Sequence, residues 1–281
     1  MKVEAILGED PKAREEAIAA AASAPEHERS ALASKLGPLA RDAAAALAAG
    51  EADSEGNTAR LGRACTGLSV LRVEAAKNCL LRIADEGTPA VKSTLARALR
   101  ATKTSEGRAV LVHLLSDDDA RKDAIIAIGA APWPGVLQAL IEVAEADDHA
   151  ARIAAIPIAK CGASGSPNEA SAAADFLLEQ LDDDVALPTA AVALLRFGRG
   201  FPAIAKVAKR IAKGPGNRKV ACLCLVAAYG DEGNANFLEL ALAGTKVDGD
   251  AARAFLEPLM KDADERIRAA AERTWKALDL K

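Results

Sequence analysis

An all-α fold, specifically an α-α superhelix of roughly eight stacked helix pairs, is predicted from three observations on this sequence. The first is composition. The chain is 51% apolar yet only 3% aromatic, and alanine and leucine supply most of the apolar content. Both are strong helix formers because they lose little side-chain freedom in a helix. The second is an internal repeat: a basic residue, an apolar or small residue three positions on, then further apolar positions. It reads Lys92/Leu95, Arg121/Ala124, Arg152/Ala155, Arg218/Ala221 and Arg266/Ala269, with a sixth copy that keeps Ala190 but has Leu187 in the basic position. The spacings from 92 to 218 are 29, 31, 35 and 31 residues, a near-constant period that marks an array. The third is a one-sided apolar stripe on the segment after each signature helix, which stacked neighbours would have to cover.

Taken in order, residues 1–87 are Ala-rich helices in which the signature is blurred, 88–244 hold the regular repeats and 245–281 hold capping helices, all within one domain, 1–281. Aspartates precede the signature helices at Asp117 to Asp119, Asp147 and Asp148, Asp182 to Asp184, and Asp262 with Asp264. A carboxylate there caps free backbone N–H groups and suits the positive helix end. Gly129, Gly162, Gly198 and Gly230 are expected to stop these helices in left-handed conformation. The second helices carry their stripes at Leu137, Leu140, Ile141 and Ala144, at Ala174, Leu177, Leu178 and Leu181, and at Ile204, Val207, Ala208 and Ile211.

The D-x-x-x-R-x-x-A run ending near a glycine, followed by a second amphipathic helix, resembles HEAT repeats of the bilin-lyase-like type within the HEAT/armadillo superfamily. The match is clearest from about residue 89 to 244. The resemblance implies that the second helix of each pair lines a concave face and that the protein works as an interaction scaffold or adaptor.

Between Val185 and Gly230 the chain has no acidic residue but eight basic ones, including Arg199, Lys206, Lys209, Arg210 and Lys213. The last four recur at helical spacing, on the side opposite the apolar stripe that begins at Ile204. They form either a docking strip for an acidic partner or a face neutralised by Glu179 and Asp183 of the preceding helix. Trp133, between Pro132 and Pro134, is either a partner anchor or a plug onto the next repeat. Trp275 is expected in the core beneath a charged end-capping helix.

The net charge of −4 argues against a surface that grips nucleic acid throughout. The comparison with HEAT-like alkylpurine DNA glycosylases and with bilin lyase subunits stays open. Deoxyhypusine hydroxylase has a similar architecture but needs repeated His-Glu pairs for iron, and here only His27-Glu28 matches. The glycines from Gly162 to Gly165 open a polar loop without the Lys-Ser/Thr of a P-loop. No catalytic, cofactor or metal constellation is expected. The five cysteines lack CxxC spacing, and the acidic N-terminal segment with Glu4, Glu9 and Asp10 does not read as a signal peptide. A reduced, cytoplasmic protein without a membrane span is the expectation.

Overall fold

A computed structural model of the chain describes residues 3–50, 54–100, 102–180, 183, 186, 189, 190, 193, 249–263, 265–277 and 279–280. All regular structure among these is helical. None of the described helices is long and apolar enough to cross a membrane. The chain divides into two compact units, Met1–Ala131 and Pro132–Lys281.

The first unit contains α1 (Val3–Leu7), α2 (Pro11–Ser23), α3 (Glu26–Ala48), α4 (Ser54–Ser69), α5 (Glu74–Glu86), α6 (Pro89–Ala98), α7 (Ser105–Leu115) and α8 (Arg121–Ala130). From α3 onward each helix packs on the next and on the one after it: α3 on α5 and α5 on α7, α4 on α6 and α6 on α8. The core follows from helical spacing. Leu61, Ala64, Cys65 and Leu68 of α4 are fully buried, as are Leu80 of α5, Val91 and Leu95 of α6, and Ala124, Ile125 and Ile128 of α8. Burying one such leucine is worth about 1.5–3 kcal/mol. The blurred N-terminal helices therefore pack by the same rule as the clear repeats. At Gly67 an added Cβ would stand 2.7 Å from Ile6 Cγ2, so glycine lets α1 settle closely against α4.

The second unit contains α9 (Leu137–Ala146), α10 (Asp148–Ser164) and α11 (Pro167–Glu179), which pack on one another, and the pair α12 (Gly249–Leu259) and α13 (Glu265–Ala277). The expected stripes are buried at Leu137, Leu140, Ile141 and Ala144 of α9 and at Ala174, Leu177 and Leu178 of α11.

Four expectations need correction. Gly129 and Gly162 are buried inside α8 and α10 rather than stopping them. The left-handed residues are Gly50, Gly135, Arg72 and Asp279. The polar loop expected from Gly162 shrinks to Gly165 and Ser166, because α10 runs on to Ser164 and Ser166 caps α11. At the C-terminus Ala269 is only partly buried while Ala271 is fully so, which moves the helix register two residues from the expected match. Trp275 is half-buried rather than core.

Candidate functional site

The signature basic residue has a local structural role. Arg14, Arg29, Lys77, Lys92 and Arg108 each donate the backbone N–H that closes the first turn of their helices, and Arg121 opens α8 with its N–H on Asp117 O. The side chains of Arg14, Arg29 and Arg121 reach the end of an adjacent helix, where carbonyls lack intrahelical partners. Arg121 Nε donates to Leu115 O at 3.0 Å, Arg14 Nη1 to Gly8 O at 3.1 Å and Arg29 Nη1 to Leu71 O at 2.9 Å. Arg268, the fourth residue of α13, repeats this with Asp262 O at 2.7 Å. Arg268 and Ala271, not Arg266 and Ala269, thus continue the pattern. Arg152 lies one residue past the turn-closing position, held by Ala151, and its Nη2 lies 3.4 Å from His149 Nδ1.

Lys92 instead reaches the turn before α8, where its ammonium pairs with Asp117 Oδ2. The other oxygen, Oδ1, accepts from the backbone N–H groups of Asp119 and Ala120, both at 3.1 Å. The hydrogen bond to Asp117 raises the Lys92 pKa. Burial pushes the Asp117 carboxyl up, but the Lys92 hydrogen bond and the backbone N–H groups outweigh it and hold the pKa low.

The expected strip residues Arg199, Lys206, Lys209, Arg210 and Lys213 lie outside the described residues. Of their suggested neutralisers, Glu179 is exposed at the end of α11, and Asp183 Oδ1 accepts from Ala186 N at 2.9 Å. Trp133 is half-buried in the turn ahead of α9. That turn is tied down by a residue the sequence reading did not single out. Glu169 accepts from Gly135 N at 2.8 Å through Oε1, and through Oε2 from Ser166 N at 2.8 Å and Ser166 Oγ at 2.9 Å. The Gly135 and Ser166 bonds hold its pKa low. Ser166-Pro-Asn-Glu169 is a capping-box signature, so the sequence carried half of this signal.

In the first unit an open cavity of about 480 Å³ lies between α2, α4 and α6. Arg14, Arg63 and Arg97 line it together with Thr66, Thr94 and a single acid, Glu9. Arg63 Nη1 donates to Leu7 O at 2.9 Å, the carbonyl next to the one that holds Arg14. The two guanidiniums are therefore anchored on consecutive carbonyls at the end of α1. Arg97 touches only its own helix, Ser93 O and Thr94 Oγ1, both at 3.4 Å. None of the three lies within ion-pair distance of a carboxylate among the described residues. Thr66 and Thr94 spend their protons on Gly62 O and Ala90 O, so the arginines supply the donors that face the cavity. A second cavity, of about 340 Å³, shares Thr66 and Ala98 with the first and is lined by Ile18, Ala22, Val70, Arg72 and Lys103. The signal was present in the sequence. Residues 56–73 and 87–105 contain no acidic residue but hold Arg60, Arg63, Arg72, Lys92, Arg97, Arg100 and Lys103.

The remaining reactive groups are quiet. Burial pushes the Cys65 and Cys79 thiols up, and burial with the Glu169 charge pushes Cys161 up to about 12, so these three stay protonated near neutrality. His113 Nε2 is exposed and lies 2.7 Å from Asp85 Oδ1, bridging α7 and α5. No group of three or more metal-ligating side chains occurs among the described residues. No protein-family model matches the chain, and no curated protein matches it.

Proposed function

We propose that the protein is a non-catalytic binding scaffold, a HEAT-like solenoid that holds an acidic segment of a protein partner. The solenoid reading is supported by the packing of α3 to α8, in which every helix meets its next and next-but-one neighbours. The observation that carries the binding reading is the groove between α2, α4 and α6, where Arg14, Arg63 and Arg97 line one cavity without carboxylate partners among the described residues. Guanidiniums so placed favour an anionic guest. The groove lies on the α4–α6 side rather than on the second helices that the resemblance points to. Arg199, Lys206, Lys209, Arg210, Lys213 and Trp133 remain a second proposed contact surface. A reduced cytoplasmic setting belongs to the same reading and is supported by the free, protonated thiols of Cys65, Cys79 and Cys161.

Affinity capture from the native cell tests this, with the wild type and Arg97→Glu as paired baits. Arg97 makes only contacts within its own helix, so reversal spares the fold. A partner held by the wild type, released by salt and lost to Arg97→Glu supports the groove. Capture of the same partner by Arg97→Glu at wild-type yield sinks it. A Lys209→Glu/Arg210→Glu bait reports separately on the strip. Nucleic acid is the second reading, favoured by the same three guanidiniums. The groove lining offers no aromatic side chain on which a base could stack, which leaves only a backbone contact with steep salt dependence.

A further inference from the structure

We propose that the groove recognises a phosphorylated side chain of its partner, with the phosphate among Arg14, Arg63 and Arg97 and a small apolar neighbour in the adjoining cavity; this rests on the binding reading above. Leu7 O and Gly8 O are consecutive carbonyls, so the guanidiniums of Arg63 and Arg14 sit side by side. Two like charges held together in a half-buried groove repel each other more strongly than in open water. The carbonyl end of α1 offsets part of that repulsion. Each guanidinium spends one N–H on its carbonyl, and the remaining donors of both, with those of Arg97, border one cavity.

A phosphate monoester meets these donors better than a carboxylate does. It carries about −1.5 to −2 charge and three strong acceptor oxygens on one centre, whereas a carboxylate brings a single charge and two oxygens. Arginine clusters recognise phosphate for this reason, through short charge-assisted and often bidentate hydrogen bonds. The second cavity supplies the rest of the recognition. It abuts the first at Thr66 and Ala98, and Ile18, Ala22 and Val70 give it an apolar wall. Arg72 and Lys103 stand exposed at its rim and extend the positive field along the guest. The wall has room for a modest apolar side chain adjacent to the phosphorylated residue.

The test uses the full chain and three immobilised peptide libraries with randomised flanks around a fixed phosphoserine, serine or glutamate. The phosphoserine pool is expected to be retained at least about tenfold better than the other two. The retained pool is expected to be enriched in small apolar residues beside the phosphoserine. Inorganic phosphate at millimolar concentration should displace it, and Arg97→Glu should lower retention by about tenfold or more. Should Arg97→Glu lose helical circular dichroism, Arg97→Gln takes its place. Equal retention of the glutamate pool overturns the phosphate assignment while leaving an acidic partner in place. Retention of none of the pools overturns it too, and the paired capture from cells then decides the scaffold reading independently. Single-stranded oligothymidylate that displaces the phosphoserine pool and binds as tightly transfers the site to nucleic-acid backbone and overturns the proposal.

Discussion

The turn that starts α8 in the first unit and the turn that starts α9 in the second solve the same problem with opposite means. Ahead of α8, the side-chain restraints come from basic and acidic residues. Asp117 caps the N–H groups of Asp119 and Ala120, Arg121 returns to Leu115 O, and Lys92 closes on Asp117 from the helix α6. Ahead of α9, between Pro132 and Val136, the turn-closing position is taken by Leu140, and the restraint arrives from Glu169 at the start of α11. The difference recurs along the chain. Basic residues close the first turns of α2, α3 and α5 to α7, whereas Ala124, Leu140, Ala151 and Ala170 do so for α8, α9, α10 and α11. Guanidiniums on carbonyls recur at the starts of α2, α3 and α8 and again at α13, whereas the described starts of α9 to α11 rely on Asp147, Ser166 and Glu169.

Removing the Asp117 carboxylate is the largest single way to break this contrast. Asp117→Ala loses a cap worth about 1 kcal/mol and strands Lys92, whose side chain is only 13% exposed. The sum is expected at about 2.5–4 kcal/mol, since hydrogen bonds to charged groups are worth about 1.5–3 kcal/mol. Urea denaturation followed by circular dichroism measures it. Lys92→Met/Asp117→Ala together should recover part of the loss, because no charge is then left unpaired. A double variant no better than the single one would show that the cap alone matters.

This same contrast explains what was legible in the sequence. Asp117, Arg121 and Ala124 act over a few residues, so their spacing is visible as a motif and recurs as Asp10, Arg14 and Ala17 and as Asp264, Arg268 and Ala271. At the C-terminus Arg266 and Ala269 mimic the spacing two residues out of register; the buried Ala271 and the Arg268 bond to Asp262 O separate the two frames. The groove was harder to see. Arg14, Arg63 and Arg97 come from three helices and share a cavity only after α1 and α2 have packed, so no spacing announces them. The acid-free runs 56–73 and 87–105 were the available trace. Gly129 and Gly162 sit inside their helices, and a glycine near an apolar run fits a stop and a buried packing position equally well.

A smaller effect is expected at Gly135, on the other side of the comparison. Its φ of 86° lies in the left-handed region, and nothing stands within 4 Å of an added Cβ. Gly135→Ala therefore costs backbone strain alone, about 1–2 kcal/mol. Gly50, with φ 69° and equally open space, provides a matched control in the first unit. Equal losses for Gly50→Ala and Gly135→Ala would confirm that neither is a packing glycine. A much larger loss at Gly135 would mean that the Glu169 contact is lost as well.

The smallest effects are expected from pH, and they separate the two turns by sign. Asp117 and Glu169 both have lowered pKa values, so each contributes stability above its unfolded-state pKa that fades as pH falls through the folded value. Both turns loosen in acid, below the ordinary carboxylate range. Lys92 has a raised pKa, so its contribution is complete below the unfolded lysine value and fades as pH rises through the folded one. Only the α8 turn should loosen in alkali. Trp133 reports the α9 turn once Trp275→Phe removes the second indole. Its emission is expected to shift to the red in acid as Glu169 lets go of Gly135, with Glu169→Gln already partly shifted at neutral pH. Through the range in which Lys92 titrates, Trp133 emission should hold steady while the denaturation midpoint of the first unit falls. A red shift of Trp133 in that alkaline range would show that the two turns are coupled rather than independently held.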